Sequence, residues 1–253
     1  MKKIWFLFII GILCCVFVSY RNNNPKIIIS NLAKRGGYIN TGELKYKIYL
    51  LGILPIGEAV FGVEKVEEYR GRKVYHLHAT AQTSKIFSRI FSGSAVLDSY
   101  IDREHFNPVT FRQRLIVSGR DDIDKEITYD QESGVMSLGG VRRQILIDTQ
   151  DPLSAIFNLR RMDLDKIKDF VMNINSNQKN YILEGKSSWQ DIVIGKRTYK
   201  IIVAKADIRR RDKNPYHKSN ITMVLVRQKE NIPVLIKIFA SGILINAKLI
   251  DIK

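Results

Sequence analysis

From about residue 42 onward, apolar and polar positions alternate with a period of two, the spacing of half-buried β-strands. "ELKYKIYLL" places Leu44, Tyr46, Ile48 and Leu50 on one face and Lys45 and Lys47 on the other. "VTFRQRLIV" sets Val109, Phe111, Leu115 and Val117 against Thr110, Arg112 and Arg114. "IDKEITY" sets Ile123, Ile127 and Tyr129 against Asp124, Glu126 and Thr128. "TYKIIVAKA", "NITMVLVRQ", "PVLIKIFA" and "ILINAKLIDI" are similar but more apolar on both faces. Turn-forming stretches such as "YRGRK", "DREHFNP", "SGRDD" and "DQESG" separate these runs. The pattern predicts about ten to thirteen strands joined by short turns, hence antiparallel meanders. A sheet that long must curl. The expected fold is mainly β: a large curved antiparallel sheet or open half-barrel with one or two short helices.

Two stretches change period. In "QDPLSAIFNLRRMDL", Asp151 can cap a first turn and Pro152 suits the first helical position. Leu153, Ile156 and Phe157 then form an apolar stripe. A helix is predicted near 151–162, at the turnover between two β-rich halves and covering part of the sheet. In "SKIFSRIFSG", residues 84–93, the side chains of Ile86, Phe87, Ile90 and Phe91 share one helical face, with Lys85 and Arg89 turned away. The expectation is a second helix that roofs the concave face. Its four apolar residues would line a hydrophobic-ligand site, and its two cations would meet solvent or an anionic headgroup.

The start of the chain bears on compartment. Lys2 and Lys3 precede an uncharged apolar run from Ile4 to Tyr20, the pattern of a secretory signal or an uncleaved signal anchor. The implied organisation is a signal or anchor at 1–21, a polar linker at 22–41 and a single β-rich exported domain at 42–253. The domain is expected in the periplasm, free or anchored to the inner membrane. Both cysteines, Cys14 and Cys15, fall inside the apolar run. The domain therefore has no disulfide and no thiol nucleophile. Leu13 before Cys14, and Cys14 before Cys15, disfavour a lipoprotein signal, which wants a small residue there.

The formal net charge is +16. The first reading is a solvated basic surface, the sharper one attraction to anionic lipid, glycan or nucleic acid. Export removes most opportunity to meet nucleic acid. The densest basic stretch, "IRRRDKNPYHK" at 208–218, makes Arg209, Arg210 and Arg211 candidates for anionic headgroups, beside the reading of a solvated loop.

Motifs for catalysis are missing. His76 and His78 in "HLH" lie on one side of a strand, yet a metal needs a third ligand, which His105 or a carboxylate could supply only through folding. They are read as a polar, half-buried strand face and no metal is expected. Asp98 and Asp102 could be half of an acid–base pair, but at four apart on a strand they are expected to face solvent or pair with neighbouring cations. "FSGSAV" is no nucleophile elbow, and "GVMSLGGV" lacks the lysine and setting of a phosphate loop. Neither a cofactor nor an enzymatic activity is expected.

Three blocks in order, "GRKVYHLHATAQTSKIFSRIFSGSAVLDSYIDREHFNPVTFRQRL", "QDPLSAIFNLRRMDL" and "IPVLIKIFASGILINAKLIDI", carry a resemblance. With Ser99–Asp102, Gln150–Ala155 and Ile232–Val234 as their signatures, the chain resembles the exported bacterial family called domain of unknown function 3108 from about residue 42 onward. The resemblance implies an exported, β-rich envelope protein and transfers no catalytic residue. The basic insertion at 208–218 departs from the family's pattern. The functional expectation is an envelope protein holding a lipid or other hydrophobic molecule on its concave face. The alternatives are a non-catalytic structural or accessory protein with a filled core, and a hydrolase acting on envelope material.

Overall fold

A computed structural model describes residues 42–176, 178–194, 196–211, 219–227 and 230–252. The signal and linker expected at 1–41, Cys14 and Cys15 included, and most of the basic stretch beyond Arg211 lie outside the described residues. The first half comprises β1 (Leu44–Leu50), β2 (Leu54–Tyr69), β3 (Arg72–Thr83), β4 (Gly93–Asp102), β5 (Pro108–Val117), β6 (Ile123–Asp130), β7 (Val135–Leu138) and β8 (Val141–Gln144). The helix α1 (Pro152–Arg161) follows. The second half comprises β9 (Asp169–Ser176), β10 (Lys179–Ile194), β11 (Arg197–Arg210), β12 (Ser219–Arg227), β13 (Asn231–Ala240) and β14 (Ile243–Ile252).

All strands join one 14-stranded sheet in the order β8-β7-β6-β5-β4-β3-β2-β1-β14-β13-β12-β11-β10-β9. The two meanders meet at the centre, where β1 runs antiparallel to β14 from Leu44↔Ile252 to Leu50↔Ile245. The outermost strands, β8 and β9, do not pair with each other, so the sheet is a curled, open half-barrel. The connector before α1 spans the gap between them. Gln150 donates from its N to Asn173 O at 2.7 Å, and Asn175 N donates to Gln150 O at 2.8 Å.

Alternation decides which side chains face inward. Leu44, Phe61, Leu77, Ile101, Phe111 and Ile127 from the first half meet Leu249 and the partly buried Ile236 from the second in one buried cluster. α1 lies on this inner face, against β3, β4, β9 and β13. Its Leu153 and Phe157 join that cluster. Its Ala155 and Leu159 join a second cluster with Phe170, Leu183, Ile202 and Leu225. A helix buried on opposite sides is an enclosed element, not a surface one.

The start of α1 follows the sequence. Asp151 Oδ1 accepts from Leu153 N at 2.7 Å and Ser154 N at 3.0 Å, and Ser154 Oγ accepts from Asp151 N at 2.9 Å, closing a capping box. The hydroxyl of Ser99 on β4 donates to Asp151 Oδ2 at 2.5 Å, which ties the cap to the sheet. Burial pushes the Asp151 carboxyl above the usual carboxylate range, outweighing the donors that favour the anion.

The helix expected at 84–93 is reduced to a single 3-10 turn, Phe87–Arg89. The ends of this connection are pinched together by Thr83 and Gly93, with Gly93 N donating to Thr83 Oγ1 at 3.1 Å. A loop so closed has room for one turn, too few residues to propagate a helix. The segment sits at the strand ends beside β2 and does not roof the inner face.

Gly185 on β10 marks a close approach. A Cβ there would fall 2.3 Å from Phe170 Cζ and 2.9 Å from Ala206 Cβ. Gly185→Ala is therefore expected to destabilise by about 1–3 kcal/mol through overpacking, seen as a lowered urea midpoint. An unchanged midpoint would show that the Phe170 ring turns aside freely.

Candidate functional site

The densest polar chemistry lies on the outer face of β2–β6. On β3, Tyr75, Leu77 and Ala79 belong to the core, so His76 and His78 point outward. By the same alternation Asp98 and Tyr100 on β4, Arg112 on β5 and Glu126 on β6 share that face, because His78 pairs with Asp98, Asp98 with Arg112 and Arg112 with Glu126 across the strands. Asp98 Oδ1 lies 2.8 Å from His76 Nε2 and 2.8 Å from His78 Nδ1. One carboxylate oxygen thus holds both imidazoles.

Glu64 enters through an irregularity. Val63 pairs with Leu77 and Lys65 with His76, leaving Glu64 as the extra residue of a β-bulge. Bulges re-aim side chains. Here Glu64 Oε2 comes 2.8 Å from His76 Nδ1, and Glu67 Oε1 3.4 Å from the same atom. Aromatic packing fixes the arrangement. Tyr100 stacks on His76 at 4.5 Å and on Tyr69 at 4.1 Å. The Arg112 guanidinium lies 5.6 Å from the Tyr100 ring centre and donates from Nε to Glu126 Oε2 at 2.8 Å. The hydrogen bond to Glu126 pushes the Arg112 pKa up.

The carboxylate that stands beside the histidine pair is Glu64, and His105 lies apart from it. His105 sits in the β4–β5 turn, where its N donates to Asp102 Oδ1 at 2.8 Å. Asp102 is a turn cap, also accepting from Glu104 N at 2.9 Å, and is not partnered with Asp98 in an acid–base pair. Asp98 itself is taken up by the histidines rather than by Arg103 or a lysine.

The other residues singled out from the sequence lie elsewhere. Ile86 and Ile90 are 85% and 60% exposed, and Phe91 is also exposed. Phe87 is half-buried, and Lys85 and Arg89 face solvent. None of the six lines either of two open grooves found among the described residues. Arg209 pairs with Glu184, and Arg211 donates to Asn173 Oδ1 at 2.6 Å, so both are engaged by β9 and β10. Arg210 is likewise engaged within the protein. The larger groove, about 610 Å³, opens at the seam between connector and β9, with Asn107, Asp148, Gln150 and Arg161 among its walls. Arg161 there lies 3.7 Å from the Phe106 ring centre.

Over residues 45–242 the sequence matches the family described as protein of unknown function (DUF3108). Among solved structures, the fold is similar to the crystal structure of a beta-barrel-like protein of domain of unknown function DUF1849 from Brucella abortus. The two share 13% identity at a TM-score of 0.55, over 83% of this chain and 96% of that one, a likeness of fold alone. No curated protein matches the chain.

Proposed function

The chain belongs to the family of unknown function DUF3108, and from that premise we propose that it is an exported, non-catalytic envelope protein that docks on an anionic membrane surface. The observation that carries this reading is the composition of one end of the sheet. The β1–β2 turn, the β3–β4 connection and the β13–β14 turn stand together there, since Leu50 pairs with both Leu54 and Ile245, and Gly57 with Thr83. They expose Leu51, Ile53, Ile86, Ile90, Phe91 and Ile243. Lys85 and Arg89 lie exposed among them, and the turn after β5 adds Arg120 together with Asp121 and Asp122. Apolar side chains at a rim with cations interleaved are complementary to a headgroup layer over an acyl interior. The net charge of +16 gives long-range attraction of the same sign.

The filled interior supports an accessory role over storage of a hydrophobic molecule. α1 occupies the concavity with apolar contacts on both sides. Export rests on Lys2, Lys3 and the apolar run that follows them.

Vesicle co-sedimentation tests the docking. Each large apolar side chain transferred fully from water contributes about 1.5–3 kcal/mol, against about 1 kcal/mol per cation at an anionic surface. Binding to phosphatidylglycerol vesicles is expected to exceed binding to phosphatidylcholine vesicles and to weaken with salt. Ile86→Ser with Ile90→Ser and Phe91→Ser should abolish it without loss of circular dichroism, because these side chains are already exposed. Equal binding by the triple variant overturns the reading. Stoichiometric lipid retained by the purified protein in native mass spectrometry would restore the ligand-carrier alternative.

A further inference from the structure

We propose that Glu64, His76 and His78 form a binding site for a divalent transition-metal ion of the zinc class, with Asp98 as the outer carboxylate that orients His76. The site is independent of membrane docking, for it lies on the outer strand face and not at the rim.

One ligand atom from each of Glu64, His76 and His78 lies within 4.8 Å of the other two. That convergence suits donors around a single ion, whose bonds to nitrogen and oxygen run about 2.0–2.2 Å. His76 adds an independent sign. It is only 8% exposed, and among the described residues its Nδ1 has no hydrogen-bond partner although Glu64 Oε2 stands 2.8 Å away. The two atoms are close without being aligned for an N–H···O bond. Such a relation is expected of two donors directed at a common third centre. A buried imidazole nitrogen left unsatisfied otherwise costs about 1–3 kcal/mol.

Asp98 completes the argument. Metal-bound histidines commonly pass their other ring N–H to a carboxylate, which sets the tautomer and the ring orientation. Asp98 Oδ1 receives His76 Nε2 and His78 Nδ1 at 2.8 Å each. With a proton on its Nε2, His76 carries its lone pair on Nδ1, the nitrogen beside Glu64. Tyr100 stacked on His76 removes the remaining freedom of that ring. The bulge at Glu64 supplies what a regular strand could not, a carboxylate brought beside a histidine on the neighbouring strand.

Two imidazoles and a carboxylate select zinc, copper, nickel or cobalt over calcium and magnesium, which prefer all-oxygen shells. Three protein donors leave a fourth position. Glu67, whose Oε1 is 3.4 Å from His76 Nδ1, or a water can fill it. Glu64 is half in solvent, which gives the ion an entry path.

The purified full-length chain in mild detergent, stripped with a chelator, would be titrated with zinc chloride against a chromophoric indicator, and separately with cobalt chloride. One equivalent of zinc is expected per chain, and cobalt should give the visible d–d bands of a four- or five-coordinate nitrogen–oxygen site. His78→Ala and Glu64→Gln, both at partly exposed positions, should each weaken zinc binding by at least about tenfold with circular dichroism unchanged, and Asp98→Asn by about 10–100-fold. His105→Ala, outside the cluster, should leave affinity unaltered. Absence of a stoichiometric equivalent, or full affinity in the His78→Ala and Glu64→Gln variants, overturns the proposal. Cobalt bound with the weak absorption of a six-coordinate aqua ion does so too.

Discussion

Replacing Phe157 with alanine is expected to lower the free energy of unfolding by about 3–5 kcal/mol. Phe157 is buried in the main apolar cluster, with its ring 5.6 Å from that of Tyr75 on β3. The helix that carries it touches strands of both meanders, so little can collapse into the space without moving the sheet. A loss of that size is a large part of a typical domain's stability of about 5–15 kcal/mol. Ile156, half-buried one residue earlier, should cost less on the same truncation. Urea midpoints of the two variants check the order. A midpoint for Phe157→Ala no lower than that for Ile156→Ala would place the helix on the surface of the sheet and not inside it.

The second large effect concerns a buried cation. Arg160, near the end of α1, is fully buried. Its Nη2 donates to Glu230 Oε2 at 3.1 Å, and its guanidinium lies 5.6 Å from the Phe61 ring centre. Nε and Nη1 have no hydrogen-bond partner among the described residues. Burial lowers the Arg160 pKa and raises that of the neighbouring Tyr46 phenol, whose hydroxyl donates to Pro233 O at 2.9 Å. Removing one member of such a pair leaves an uncompensated charge inside, at a cost of about 3–5 kcal/mol. Glu230→Gln is expected near about 3 kcal/mol, the lower end, because part of the Glu230 side chain stays in solvent. Arg160→Met removes the charge and keeps the volume, and should be neutral or stabilising by about 1–4 kcal/mol. Combined, the two changes should recover most of what Glu230→Gln loses. If Arg160→Met is as damaging as Glu230→Gln, the guanidinium has a structural task that a thioether cannot replace.

The sheet was legible where alternation is strict. β1 carries its apolar residues at every second position, β5 and β6 do so apart from Gln113 and Lys125, and the helix start at Asp151 declared itself through cap, proline and stripe. β8 did not, since "VRRQ" is exposed throughout and has no buried face to encode. The segment at 84–93 misled because its apolar spacing is helical over the six residues from Ile86 to Phe91, while its length is fixed by Thr83 and Gly93 holding the strand ends together. At α1 the stripe of Leu153 and Phe157 identified one buried side. Ala155, Leu159 and Arg160 are buried too, which depends on strands far away in sequence. In the metal-site cluster, His76, His78 and Asp98 share a face by simple parity, and nothing in "VFGVEKVEEY" announces the bulge that delivers Glu64.

The central pairing of β1 with β14 also sets an order of assembly. Every other strand of the sheet pairs with neighbours close in sequence, whereas Leu44 must wait for Ile252. Contacts so distant along the chain close late and slow folding. Until they close, β1 is not an interior strand but an open edge, with a row of unpaired amides available to any other extended chain. Lys45 and Lys47 sit on that strand, and Lys45 is already neutralised in place by Glu58 of β2 at 2.8 Å. Lysines on an edge discourage pairing with strangers. β1 therefore has the character of an edge strand although it ends at the middle of the sheet, and its charges serve the half-made molecule more than the finished one.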